Sequence, residues 1–280
     1  MLGIVVNLLL ATGKCVVGTL GHSFALISDG IESLTDVVSS SIVVAGLFWA
    51  ARPPDKDHPY GHGKAEPIAA LVVSLSLLGA AVFIALESIA EIRTPHRLPA
   101  PYTLIVVIAV VVIKGGLSRY VGVVGKEIES GAVRADAWHH FSDALTSGFA
   151  FVGISIALVS RYPAADDWAA LCASPVILFN GLKQMRGPLG ELLDASPPGD
   201  IEAGVRETAL TVSGVLGLDK CFVRKMGFEY YVDIHVLVDG ARSVTDGHRI
   251  AHEVEDAVLE AQPSVADVLV HIEPTEETRY

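Results

Sequence analysis

The stretch that decides the fold is "ADAWHHFSDALTS", Ala135 to Ser147, where two aspartates and two histidines sit inside an otherwise apolar run. On an α-helix, positions i, i+3 or i+4, and i+7 share one face. Asp136, His139 and Asp143 therefore form a stripe, while His140 lies off it and reads as a neutral histidine packed between helices. A second stretch, "SDGIESLTDVVSS" from Ser28 to Ser40, repeats the offsets with Asp29, Glu32 and Asp36, each 107 residues before its counterpart. Isolated charges inside a bilayer are costly unless they face a partner, a cavity or an ion, and carboxylates alone repel one another. A divalent cation held between the two stripes is the economical reading; a polar interface between helices is the bland one.

The surrounding composition makes the bilayer the relevant solvent. The chain of 280 residues is 51% hydrophobic with mean hydropathy +0.49, too apolar for an ordinary soluble globule. Runs long enough to cross a hydrocarbon core of roughly 30 Å lie near 2–20, 24–50, 67–90, 101–122, 137–160 and 167–188, which predicts six transmembrane helices. The opening "MLGIVVNLLLATGKCVVGTL" lacks a charged n-region and a small-residue cleavage site, so it reads as the first span. Lys14 inside it is either snorkelling or an inter-helix partner. Arg52, Lys56, Lys64, Arg119, Lys126, Arg134, Lys183 and Arg186 fall on one side of these spans, against Arg93, Arg97 and Arg161 on the other. That excess predicts both termini on the cytoplasmic side.

Beyond about residue 200 the pattern changes. "KCFVRKMGFEYYVDIHVLVD" alternates as two strands, "SVTDGHRIAHEVEDAVLEAQ" has helical spacing, and "ADVLVHIEP" reads as a last strand. Residues 201–280 carry 15 acidic and 7 basic side chains, most of the chain's net charge of -12, so no nucleic-acid partner is expected. Cys15, Cys172 and Cys221 are odd in number and far apart, which predicts no disulfide framework.

These motifs resemble those of the cation diffusion facilitators, proton-coupled exporters of divalent transition metals, over nearly the whole chain. The resemblance implies an α-helical membrane protein with a six-helix transmembrane domain at 1–195. At 200–280 it implies a cytoplasmic α/β domain of metallochaperone-like order α-β-β-α-β that dimerises and binds metal. It assigns the transport site to Glu32 and Asp36 on the second span and His139 and Asp143 on the fifth, with Asp29 and Asp136 as accessory groups. Glu32 departs from the His or Asp more usual there, which bears on metal selectivity. The loop "ARPPDKDHPYGHGKAEP" contains Asp55, His58 and His62, a set that suits zinc-like ions and matches the family's loop site. In the last domain His235, His248, His271 and Glu273 match its metal ligands, and His252 is a possible substitute for His248. Lys64 and Asp194 match a salt-bridge interlock.

The resemblance further implies efflux from the cytoplasm by alternating access in a homodimer. The membrane is expected to be a bacterial inner membrane. The substrate would be zinc first, with iron(II), cobalt, nickel, cadmium or manganese open, and His139 would carry the proton because an imidazole titrates nearest neutrality. Two rivals of other classes are a membrane-anchored metal sensor and an intramembrane zinc hydrolase. A sensor needs an anchor and no charged core. The hydrolase lacks an H-E-x-x-H motif and a separate general base, so no enzyme is expected.

Overall fold

The structure is a computed structural model that describes residues 2–94, 97–127, 131–197 and 200–275, apart from the side chains of 2–7, 40, 121, 124–127 and 131–140. Six long helices come first: α1 (Leu2–Leu20), α2 (Phe24–Ala50), α3 (Ala65–Arg93), α4 (Thr103–Glu127), α5 (Gly131–Ser160) and α6 (Ala164–Leu192). Among the described residues, four stretches are long and apolar enough to cross a membrane, Phe24–Ala50, Ala65–Arg93, Thr103–Tyr120 and Phe141–Ser160, and Leu8–Leu20 is a shorter apolar one. The expected span at 167–188 forms a helix but is not among them. Asp166 and Asp167 in its first turn, with Lys183 and Arg186 further along, dilute its apolar content.

Leu26 of α2, Ile84 of α3, Val107 of α4, Ile154 of α5 and Ile177 of α6 meet in one buried cluster. Small residues allow the close approaches. A Cβ on Gly153 of α5 would stand 2.2 Å from Ala169 Cβ of α6, and one on Gly30 of α2 would stand 2.5 Å from Cys15 Sγ of α1. A buried carboxylate closes a helix end as well. Asp166 accepts from the Ser23 hydroxyl at 2.9 Å and from the Ala25 amide at 3.1 Å, so an α6 side chain satisfies an orphan donor in the first turn of α2.

The remaining elements are α7 (Asp200–Leu210), β1 (Gly217–Met226), β2 (Glu229–Val238), α8 (Val244–Ala261) and β3 (Val265–Pro274). β2 is central, antiparallel to β1 and parallel to β3. A parallel neighbour requires a crossover, which α8 supplies. Ser243 caps α8 by accepting from the Asp246 amide at 3.1 Å, and its hydroxyl donates to the Asp246 carboxylate at 2.6 Å. That bond holds the Asp246 carboxyl below its ordinary range. Ile250, Val254 and Val258 of α8 are fully buried and pack with Val232, Ile234 and Val236 of β2 and Val205 of α7 in a separate core.

Compact units divide differently from the sequence boundaries. One comprises Met1–Val43 and Val72–Met185, the other Val44–Leu71 and Arg186–Tyr280, so the α2–α3 connection belongs with the C-terminal elements.

Candidate metal centres

The buried centre lies where α1, α2, α4 and α5 meet. Asp29 and Glu32 of α2 and Asp143 of α5 are each 5% exposed. Asp29, Asp36 and Asp143 all lie within electrostatic reach of Glu32, with Thr146 beside its carboxylate. Ser147 donates to Asp29 Oδ1 at 2.8 Å, joining α5 to α2. A cavity of about 10 Å³, lined in part by Ser28, Asp29, Glu32 and Thr146, gives room for one water-sized sphere. Asp136 and His139, the other expected members, have side chains outside the described residues.

Two lysines answer these carboxylates. Lys14 Nζ of α1 lies 2.9 Å from Asp29 Oδ2 and donates to the Ser33 hydroxyl at 3.0 Å, with the Lys14 and Asp29 side chains 2% and 4% exposed. Of the two readings left open for Lys14, the inter-helix partner is the one observed. Lys114 Nζ of α4 lies 2.7 Å from Asp143 Oδ2, a pairing the sequence reading missed. The signal was present: a lysine inside "VVIKGGL" interrupts an apolar run and therefore needs a counter-charge.

The loop between α2 and α3 gathers Asp55, His58 and His62, whose ligand atoms lie within 4.8 Å of one another. Asp55 Oδ1 accepts from the backbone amides of Asp57 at 2.9 Å and His58 at 2.7 Å, a local turn typical of aspartate. His58 Nδ1 lies 3.1 Å from the same oxygen, and His62 Nε2 lies 3.5 Å from Asp55 Oδ2. The donated hydrogen bonds, led by the His58 amide, lower the Asp55 carboxyl from its ordinary value. The Nδ1 atom of His62 is buried and has no hydrogen-bond partner among the described residues.

This loop is seated on the β1–β2 turn by backbone contact. Gly227 has φ +66°, and a Cβ on Gly63 would stand 2.5 Å from the Met226 carbonyl oxygen. Glu191 of α6 accepts from Lys225 Nζ and the Gly227 amide, each at 3.0 Å. Lys64 Nζ donates to the Glu191 carbonyl at 2.6 Å and lies 2.8 Å from Asp194 Oδ1. The Lys64–Asp194 pair expected from sequence is therefore in contact, and Glu191 adds a clamp that sequence reasoning did not single out.

In the C-terminal domain, parallel pairing sets His235 of β2 opposite His271 of β3, and alternation brings Glu273 to the same face. His235 Nδ1 lies 2.8 Å and His271 Nε2 3.6 Å from Glu273 Oε1, and the three ligand atoms fall within 4.8 Å of one another. His248, expected with them, does not join this group. It lies on α8 and stacks edge-on with His252 at a centroid separation of 4.6 Å, because residues four apart on a helix are neighbours.

A bundle of apolar helices around a buried carboxylate and lysine cluster defines an integral membrane protein built to handle ions. A family model described as the cation efflux transmembrane domain matches residues 1–193, and one described as the cation efflux protein cytoplasmic domain matches 197–275. The chain belongs to the cation efflux family, whose members are transporters and not enzymes. Metal tolerance protein C1 of Arabidopsis thaliana is 34% identical over 289 residues, covering 98% of this chain and 61% of that protein. The manganese efflux system protein MneP of Bacillus subtilis is 29% identical, covering 98% of this chain and 94% of that one. The cation-efflux pump FieF of Pectobacterium carotovorum is 30% identical, covering 90% and 84%. A solved MamM-CTD variant is 26% identical with a TM-score of 0.27, covering 27% of this chain and 95% of that one.

Proposed function

We propose that this protein exports divalent transition-metal ions, zinc foremost, from the cytoplasm in exchange for protons, by alternating access. Glu32, Asp36, His139 and Asp143 hold the ion within the membrane. The observation that carries this reading is the burial of Asp29, Glu32 and Asp143 beside Asp36 on facing helices. Among the described residues two lysine ammoniums, Lys14 and Lys114, face these four carboxylates, and a divalent cation offsets the repulsion that remains. The one expected nitrogen donor, His139, favours zinc, iron(II), cobalt, nickel or cadmium over magnesium and calcium, while three oxygen donors keep manganese within range. Carboxylate and imidazole each hold either a proton or a metal, so proton arrival from outside expels the ion.

The Asp55, His58 and His62 cluster is a second, modulatory site. The His235, His271 and Glu273 cluster is a regulatory site in a domain that pairs two copies of the chain. We place the protein in a bacterial inner membrane with both termini cytoplasmic.

The test is zinc flux into vesicles containing the reconstituted protein and an internal metal dye. Asp143→Ala should abolish flux while the protein still inserts. Flux retained in that variant overturns the site assignment, and zinc bound without any flux in the unaltered protein restores the sensor reading.

A further inference from the structure

The pairing of Lys114 with Asp143 has a consequence for ion selection, one that rests on Asp143 being a ligand of the transported ion. Both side chains are more than nine-tenths buried, and the Nζ to Oδ2 distance of 2.7 Å is that of a charge-assisted hydrogen bond. Asp29 and Asp36 also lie within electrostatic reach of the Lys114 ammonium. An oxygen that accepts from an ammonium at this distance cannot also bind a metal along the same direction. An incoming ion must therefore displace Lys114 from Oδ2, or take Oδ1 with a fixed positive charge close by.

We propose that Lys114 is a tethered competitor of the transported cation at Asp143, and so a determinant of selectivity for divalent over monovalent ions. The argument is one of charge. Sodium or potassium offers Asp143 no more charge than the ammonium already supplies, and the ammonium is tethered, so it acts at a high effective concentration. A divalent ion doubles the Coulomb term and, by bridging Asp143 to Glu32 and Asp36, gains partners that Lys114 cannot reach at once. The same competition keeps binding weak enough for release, a requirement of any conducting or transporting site. When the ion departs, the ammonium returns to Asp143, so the emptied carrier does not leave that carboxylate bare.

Lys14 differs, because its partner Asp29 is also held by Ser147 and Lys14 itself is fixed by Ser33. Lys114 instead donates to Asp143, the carboxylate that an incoming ion must take.

The test measures equilibrium zinc affinity of the purified full chain in nanodiscs, on a background carrying His58→Ala and His271→Ala to disable the two other clusters. Lys114→Gln should bind zinc about tenfold or more tightly, and its zinc binding should become sensitive to added sodium chloride while that of the parent does not. Lys114→Arg keeps the charge and can hold the carboxylate in a bidentate manner, so it should bind zinc more weakly than the parent. Zinc affinity unchanged or lowered in a folded Lys114→Gln, with no gain in sodium sensitivity, overturns the proposal. If Lys114→Gln does not fold, tighter or equal zinc binding by Lys114→Arg overturns it. Asp143→Asn separates the two ideas. Loss of zinc binding there, alongside either of those results at position 114, refutes only the competitor role, whereas binding retained by Asp143→Asn refutes the site and the competitor together.

Discussion

The transmembrane cluster and the two histidine clusters use the same ligand chemistry and resolve the same electrostatic problem in opposite ways. Around Asp55 and Glu273 the side chains are partly open to water, with Asp55 52% and His271 63% exposed, and each acid faces imidazoles that need carry no charge. Around Asp29 and Asp143 the side chains are less than a tenth exposed, and each acid faces a lysine. Solvent stabilises an isolated carboxylate at little cost, whereas the interior of a helix bundle does not. Charge balance is therefore built into the buried site and left to solvent or a metal at the exposed ones.

Removing a built-in counter-charge should have the largest effect on stability. Lys14→Met leaves Asp29 buried without its cation and should lower stability by about 3 kcal/mol or more, seen as an earlier unfolding transition in detergent. The double variant Lys14→Met with Asp29→Leu should recover most of that loss. A single variant as stable as the parent would mean that burial alone does not demand the pairing.

At the exposed clusters the effect should come from the metal. The C-terminal segment from residue 200 has its own core, and as an isolated domain it should gain roughly 2.7 kcal/mol of stability at a hundredfold excess of zinc over the dissociation constant. His271→Ala should flatten that gain and leave the metal-free melt nearly unchanged. A melt that ignores zinc in the unaltered domain would make these histidines ordinary surface residues.

Smaller effects belong to the charged contacts near the loop. Glu191, 13% exposed and bound to both Lys225 and the Gly227 amide, should cost about 2 kcal/mol when replaced by alanine. Asp194→Asn keeps a residue suited to φ +53° and breaks a half-exposed ion pair, so it should cost less than about 1 kcal/mol. Thermal melts of the two variants would reverse this order if the Lys64 pair were the main tie.

The smallest effect is on pH dependence. Asp55 has its carboxyl lowered by the His58 and Asp57 amides, so the stability it lends its turn is present above the ordinary carboxylate value of about 3.9. It is lost as pH falls through the lower folded value. Hydrogen exchange at the His58 amide, corrected for intrinsic rate, should accelerate as pH falls through that window, and unchanged protection below it would remove Asp55 as its anchor.

Much of this architecture is legible in the residues themselves. The repeated offsets of Asp29, Glu32 and Asp36 and the apolar lengths around them determine helices with one charged stripe, because a 3.6-residue period in a bilayer leaves few other conformations. The β-β-α-β order after residue 217 follows from alternation in the strand segments and helical spacing in the segment between them. Local spacing also determines the Asp55–His58 contact, an aspartate turn over three residues, whereas His62 joins it through the path of the longer loop.

What the sequence could not decide is which charge meets which. Lys114 and Asp143 are 29 residues apart and Lys14 and Asp29 are 15 apart, on different helices, and nothing in the periodicity of either helix states how it is rotated against its neighbour. His248 illustrates the same limit. It has the right chemistry for the Glu273 cluster, but the face of α8 that carries it is set by the burial of Ile250, Val254 and Val258 against the sheet. Periodicity along one element is a local property of the chain, whereas the azimuth of one element against another is decided by side-chain packing, and only the tertiary structure contains that.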